Sequence, residues 1–508
     1  MNRGIYLLSK GFKGLKKFFL NPSRFRLVYL LTLFFTNVVV IREIALVAQY
    51  VLMPWAGLII YFYYIRNRRI FKIKYVKYLI LYLVSCTVTA LININSNFGW
   101  NMLINAHIAI CFFVFYGLHT EKNRRRIYRE INILAKLVIL FTTVLNICAF
   151  PFACMSMGFE LYGYECIIYE NRLTGFFINP NLLGFISAVS IIFAHMLTKA
   201  PLLKGRGSKN PNKWLLFIAS GFNLICLYLS DSNASFVFLV VYALTYVFFR
   251  VFKERELMNW RLLLKKTFSF IAMGLAVCII LVGTRLLTGY TVSLLAAGTQ
   301  VQLPDSMTQT ISPGEFIEAA TEPVTFKHQN KNLDSGRIRL LMEAAIIFIN
   351  YPLFGMGKAN LVPYAQQYIE GGLHFSDLHN GYVTILVCSG IVGFVIFLAF
   401  AIHLCRHMVK SLFMEKKNLR RTIFPCLFSF IFSYCVYSLF EKALLYEQSF
   451  MVLISWAVLG YASVFMLKYD HINDKIRFKF NKKEERDADY YDAPTDIEVA
   501  DEELEEKN

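Results

Sequence analysis

Long apolar stretches alternate with short polar gaps along almost the whole chain, and most of the stretches are of bilayer length. A helix that crosses the hydrocarbon core needs about 20 predominantly apolar residues. By that rule spans fall near 27–42, 44–65, 77–94, 101–118, 131–151, 181–198, 214–230, 233–249, 267–284, 380–402, 422–440 and 448–467. The first is short, and Arg42-Glu43 separates it from the second; the two read as a helical hairpin turning at an interface or as a re-entrant pair. The pattern predicts an all-α polytopic membrane protein with about twelve transmembrane helices. One gap breaks the rhythm. Residues 285–379 are too many and too polar for a simple connector, and they predict one large external loop with short helices of its own.

The expected organisation is therefore a basic amphipathic lead-in over 1–26, helices 1–9 over 27–284, the external loop over 285–379, helices 10–12 over 380–467, and a tail over 468–508. Phe12 to Phe19 resembles an uncleaved lead-in, because no small-residue cleavage site follows the first apolar run. From Glu484 onward the tail is acidic and poor in aliphatics, a composition that predicts disorder.

Charge fixes the orientation. With the N-terminus in the cytoplasm, the inside segments hold 41 Lys and Arg, and the outside segments hold nine. Such asymmetry follows the positive-inside rule and places both termini in the cytoplasm. The formal net charge of +19 thus belongs to seven separate loops beside anionic lipid. Basic residues scattered in this way argue against a nucleic-acid partner. Of the eleven cysteines only Cys154 and Cys166 fall in an external loop, where a disulfide is one option. No spacing resembles a metal site, and no cofactor is called for.

Two external segments have ordered-looking sequence. Around 152–180, Asn179-Pro180 signals a helix start, and Arg172 precedes it as the loop's only cation. Taken alone, Arg172 reads equally well as a solvated or snorkelling arginine. The second segment opens with an aperiodic polar run, Thr288 to Asn332, and continues with Asp334-Ser335-Gly336-Arg337 as cap chemistry for a helix reaching about Asn350. Ile338, Leu341, Met342, Ala345 and Ile349 form one apolar stripe on that helix, and Tyr351-Pro352 stops it. A glycine turn at Leu353–Gly357 and a short helix over about Leu361–Glu370 follow, before His379-Asn380 leads into the next span. A lone histidine at a helix start is commonly a cap. Its neighbourhood with two arginines on one side of the membrane makes it a candidate for chemistry.

Ser335-Gly336-Arg337, then Tyr351–Gly357, then His379-Asn380-Gly381-Tyr382 with Ser389–Gly393, resembles the core of the O-antigen ligase and polymerase superfamily. The upstream run Arg172–Asn181 resembles that family's arginine segment. One position departs: members often carry a serine-arginine pair at the outer end of a middle span, where this chain reads Ser230-Asp231-Ser232-Asn233. The resemblance implies metal-independent transfer of a glycan from an undecaprenyl-diphosphate carrier to an acceptor hydroxyl at the external face. It implies catalytic roles for His379, Arg337 and Arg172, with Arg172, Arg337, Arg339 and Asn380 as substrate contacts. Polymerisation of surface-polysaccharide repeats is the leading expectation, and ligation of a finished glycan to another acceptor the near alternative.

These residue types suit the reaction. A departing diphosphate concentrates negative charge, which guanidinium forks bind bidentately. An attacking sugar hydroxyl needs a base, and an ordinary histidine, with a pKa of about 6.5, is mostly neutral outside the cell. A transporter or flippase is the alternative from another class, but no repeated half is evident and intramembrane charges are few.

Overall fold

The computed structural model describes residues 18–121, 123–155, 157–199, 212–252, 260–298, 318–319, 336–373, 377–414 and 422–466. The lead-in before residue 18, the tail from residue 467 and most of the polar run Thr288–Asn332 lie outside the described residues. Helices stand at each segment marked from the sequence. They are α1 (Pro22–Phe35), α2 (Arg42–Ile59), α3 (Val76–Ile92), α4 (Phe98–Ala109), α5 (Arg124–Cys154), α6 (Pro180–Lys199), α7 (Lys213–Leu229), α8 (Asn233–Val251) and α9 (Trp260–Gly298). After the short α10 (Arg337–Asn350) and α11 (Leu361–Tyr368) come α12 (Gly381–Met414), α13 (Phe424–Tyr437) and α14 (Phe450–Phe465). Among the described residues, seven helical stretches are long and apolar enough to cross a membrane, and four more are shorter apolar helices. The chain is a mostly helical membrane protein.

Polar side chains inside the bundle pair with one another, as apolar surroundings demand. Asn146 of α5 donates to Ser187 of α6 (3.0 Å) and to Asn223 of α7 (2.8 Å), and Asn223 donates on to Ser190 (2.8 Å). At the end bearing the basic loops, Arg26 is fully buried between Glu121 and Glu130, with nitrogen–oxygen distances of 2.7 Å. Tyr461 of α14 donates to the same Glu130 at 2.8 Å. This cluster ties α1, α5 and α14 together. Removing one partner would leave a buried charge exposed to apolar surroundings.

Two departures from expectation lie at the opposite end. The first is α9, whose 39 residues span about 58 Å, well beyond a hydrocarbon core of about 30 Å. The boundary expected at residue 285 falls inside this helix, and Thr288–Gly298, expected to be irregular, continues it. Threonines do not stop it because their hydroxyls bond back to the preceding turn: Thr284 to Ile280 and Thr288 to Thr284, each at 2.7 Å.

The second departure corrects a purely all-α reading. β1 (Met157–Leu161), β2 (Tyr164–Tyr169), β3 (Arg172–Gly175) and β4 (Glu318–Ala319) form an antiparallel sheet in the order β3-β2-β1-β4. Two-residue turns join the first three strands. Tyr162-Gly163 and Glu170-Asn171 all have positive φ, as hairpin turns matched to strand twist require. β4 comes from the 285–379 insertion, so the sheet joins the two expected loops. Cys166 is buried from β2, and no disulfide links it to Cys154.

Candidate active site

The Glu170-Asn171 turn aligns Tyr169 with Arg172, so Arg172 opens β3 at a fixed register. Its half-buried guanidinium then reaches two different elements. Nε donates to the Ser230 carbonyl between α7 and α8 (2.9 Å), and Nη2 donates to Asn181 Oδ1 in the first turn of α6 (2.7 Å). Burial pulls the Arg172 pKa below the ordinary arginine value, and the charges of Asp231, Glu170 and Glu441 act against that shift. Helix α6 starts as its sequence predicts: Asn179 accepts from the Leu182 amide at 2.9 Å, with Pro180 as the first helical residue.

Asn181 carries the connection onward. Its amide donates to Glu441 Oε1 at 3.3 Å, and Glu441 Oε2 lies 3.6 Å from His379 Nδ1. Glu441 is nearly buried, whereas a third of the His379 side chain remains exposed (32%). His379 sits in the left-handed region at φ 44°, uncommon for a residue with a Cβ. Strain of this kind persists only where neighbours over-determine it. Next to it Asn380 caps α12, accepting from the Tyr382 and Val383 amides (3.0 and 3.1 Å) and donating to the Leu439 carbonyl (3.1 Å).

Arg337, the first residue of α10, approaches the same connector. Its Nη2 stands 3.5 Å from the Phe440 carbonyl, and its guanidinium lies 5.2 Å from the Phe440 ring centre, within cation–π reach. Residues 438–449, between α13 and α14, are thus where the three expected residues meet. Arg172 arrives through Asn181 and Glu441, His379 through Glu441, and Arg337 through Phe440. Arg339 does not join them: its side chain is 60% exposed and pairs with Glu343 one turn along α10 at 3.0 Å. Asp334 and Ser335, expected as caps for α10, lie outside the described residues; Gly336 occupies the cap position at φ 76°.

Several contributors were not singled out from the sequence. Glu441 and Asn181 complete the chain from Arg172 to His379. A four-membered ion cluster braces it: Asp377 pairs with Lys358 and with Lys442 (2.9 Å), and Glu447 lies 3.4 Å from Lys358 and 3.6 Å from Lys442. Burial works against the Asp377 charge, but Lys358 and Lys442 outweigh it and hold the carboxyl below the usual carboxylate range. Asp377 is two residues before His379 and Lys442 is next to Glu441, so this ion pair clamps the two segments that carry the imidazole and its carboxylate. The available signal was the charge density of Glu441, Lys442 and Glu447 in a connector between two apolar spans.

Arg285 of α9 adds a further guanidinium. It pairs with Asp231 at 2.5 Å, donates to Asn233 Oδ1 at 3.0 Å, and lies 4.8 Å from the Phe236 ring centre. Asn233 holds the position where an arginine was missing from the family pattern, and a cation reaches that corner from α9 instead.

Residues 216–398 match the family model described as O-antigen ligase. This stretch is similar to the O-antigen ligase family, which supports the resemblance to the O-antigen ligase/polymerase superfamily. No curated protein matches the chain. The matched stretch runs from α7 into α12 and contains Arg285, Arg337 and His379. Arg172 and Asn181 precede it and Glu441 follows it, so the candidate site combines the matched stretch with segments on both sides. Members of this superfamily are membrane enzymes acting on lipid-linked glycans and acceptors.

Proposed function

We propose that the protein transfers a glycan from an undecaprenyl-diphosphate carrier to an acceptor hydroxyl at the outer face of a bacterial cell membrane, joining repeat units of a surface polysaccharide. The observation that carries this reading is the linked set Arg172–Asn181–Glu441–His379, with Arg337 against the neighbouring Phe440. A partly exposed imidazole with a carboxylate on one nitrogen and two guanidiniums nearby has the parts that displacement at a glycosyl diphosphate needs.

In this mechanism Glu441 holds the proton on His379 Nδ1 and leaves Nε2 bare. Nε2 takes the proton of the acceptor hydroxyl as its oxygen attacks the anomeric carbon. The bond from that carbon to the diphosphate oxygen breaks, and the electron pair leaves with the diphosphate. Direct displacement inverts the anomeric centre and needs no metal. Arg172 and Arg337 face the growing negative charge, where fixed cations act most strongly on the transition state. Apo geometry at such a pair is often looser than in the reacting complex, which suits the 3.6 Å separation.

The deciding experiment is transfer by the reconstituted full chain, with purified lipid-linked repeats and a chelator present. Products of increasing length support polymerisation. Transfer to a different acceptor, without lengthening, favours ligation. No transfer to any glycan acceptor sinks the reading.

Two variants test the roles. Arg337→Ala is expected to lower kcat by about 10²–10³-fold, as loss of one oxyanion-stabilising donor does elsewhere. An unchanged kcat would remove Arg337 from the chemistry. Glu441→Gln keeps the side-chain shape but removes the carboxylate beside His379 Nδ1, so kcat should fall while KM for the donor holds. A raised donor KM with kcat unchanged would take Glu441 out of the chemistry.

A further inference from the structure

The apolar stripe of α10 faces the wrong way for a helix resting on a protein surface. Leu340, Glu343, Ala344 and Ile347 are its buried side. Ile338, Leu341, Met342, Ala345, Ile346 and Ile349 point outward, with Met342 63% and Ile349 74% exposed. Leu353, just beyond the helix, is 60% exposed. Between Leu340 and Gly357 the only charged residue is Glu343, on the buried side and paired with Arg339.

The segment after α10 shows how deep this helix lies. Helix α12 is broken at Gly390 (φ 64°, ψ −174°). An intact helix would pair the amides of Ile391 and Val392 with the carbonyls of Val387 and Cys388. Here the segment following α10 supplies all four partners. Ile391 donates to the Pro352 carbonyl (2.8 Å) and Val392 to the Leu353 carbonyl (3.1 Å). Met356 donates to the Val387 carbonyl (3.3 Å) and Gly357 to the Cys388 carbonyl (3.0 Å). Gly390 is nine residues into α12, about 14 Å along its axis. Irregular backbone at that depth is tolerated where protein satisfies its polar groups, as this exchange does.

Exposure along α12 agrees. None of residues 381–390 is exposed, and Val383 and Val387 pack in one cluster with Ala344, Ile347 and Met356 of the segment beside them. Beyond the insertion Ile391, Val395, Leu398 and Ile402 are exposed at three- and four-residue spacing. This row begins beside Pro352 and Leu353, whose carbonyls accept from Ile391 and Val392. The same surroundings should cover this row and the outward stripe of α10.

We infer that residues 337–357 form a re-entrant limb in the outer half of the bilayer, with the outward stripe of α10 covered by lipid hydrocarbon and Arg337 held at headgroup depth. The limb descends along α12, plugs the break at Gly390, and returns toward Lys358 and α11. An amphipathic helix of this kind partitions by the apolar area it buries in lipid. This surface is argued without reference to the glycan chemistry, so failure of the transfer reading would leave it standing.

Spin labels on single added cysteines test the inference in the full chain in lipid vesicles. The native thiols that are not buried (Cys148, Cys154, Cys278, Cys405 and Cys435) are first replaced by serine. Labels are introduced by Met342→Cys, Ile346→Cys, Ile349→Cys and Leu353→Cys. Ile402→Cys on α12 serves as the lipid reference and Glu160→Cys on β1 as the aqueous one. Collision with dissolved oxygen should exceed collision with a water-soluble nickel chelate at all four limb positions, as at Ile402. Chelate-dominated relaxation at Ile346 and Ile349, matching Glu160, would overturn the limb. Spin–spin broadening that disappears on dilution in lipid would show a second copy of the chain on this face, and would overturn it as well.

Discussion

His379→Ala is expected to reduce glycan transfer by about 10²–10⁴-fold, the usual worth of a positioned general base. The folded chain should stay inserted and should still hold its donor, because the diphosphate contacts are proposed for Arg172 and Arg337. The left-handed backbone at this position complicates alanine, since φ 44° suits asparagine better than most residues carrying a Cβ. His379→Asn is therefore the companion variant. It fits that conformation but cannot accept the hydroxyl proton at the same place. Loss of transfer in both variants, with thermal midpoints near the parent's, assigns the defect to chemistry. Full activity in either would end the assignment of His379 as the base.

The helices were legible because bilayer thickness imposes a length that composition alone reveals. Arg172, Arg337 and His379 were singled out by the resemblance to the O-antigen ligase and polymerase superfamily and by their placement on one side of the membrane. Glu441 was not, because its importance comes from contact with Asn181 and His379, which lie far away in sequence. Asn380 and Arg339 show the converse. Both sit close to the expected chemistry in sequence, yet one caps α12 and the other pairs with Glu343 on an exposed flank.

The sheet had a sequence signal in its turns, Tyr162-Gly163 and Glu170-Asn171, but a strong prior for helices hid strands of four to six residues. Periodicity located the stripe on α10 correctly and was silent on its neighbour. A repeat of three and four residues says that one face is apolar. Whether protein or lipid covers that face depends on depth, and depth was set by a glycine more than thirty residues further along the chain.

That glycine is the second place where a single substitution should have a large effect. Gly390→Ala is expected to destabilise the protein on the order of 3 kcal/mol or more, from backbone strain together with lost buried hydrogen bonds. With φ 64° and ψ −174° the residue occupies a region used almost only by glycine. A Cβ there would lie 2.3 Å from the Leu353 carbonyl oxygen and 2.6 Å from the Gly355 nitrogen. Both are backbone atoms, so no rotamer change relieves the contact. The inserted segment must move, and the four amides and carbonyls it satisfies lose their partners together. Gly221→Ala in α7 is the control, because nothing lies within 4 Å of its Cβ position and alanine is the better helix former. The thermal midpoint in detergent should fall for Gly390→Ala and hold or rise for Gly221→Ala. Transfer should fall too, although residue 390 has no place among the reacting groups, since displacing the limb moves Arg337 from Phe440. A Gly390→Ala protein with the parent's midpoint and the parent's kcat would show that the interlock neither holds the fold nor positions the arginine.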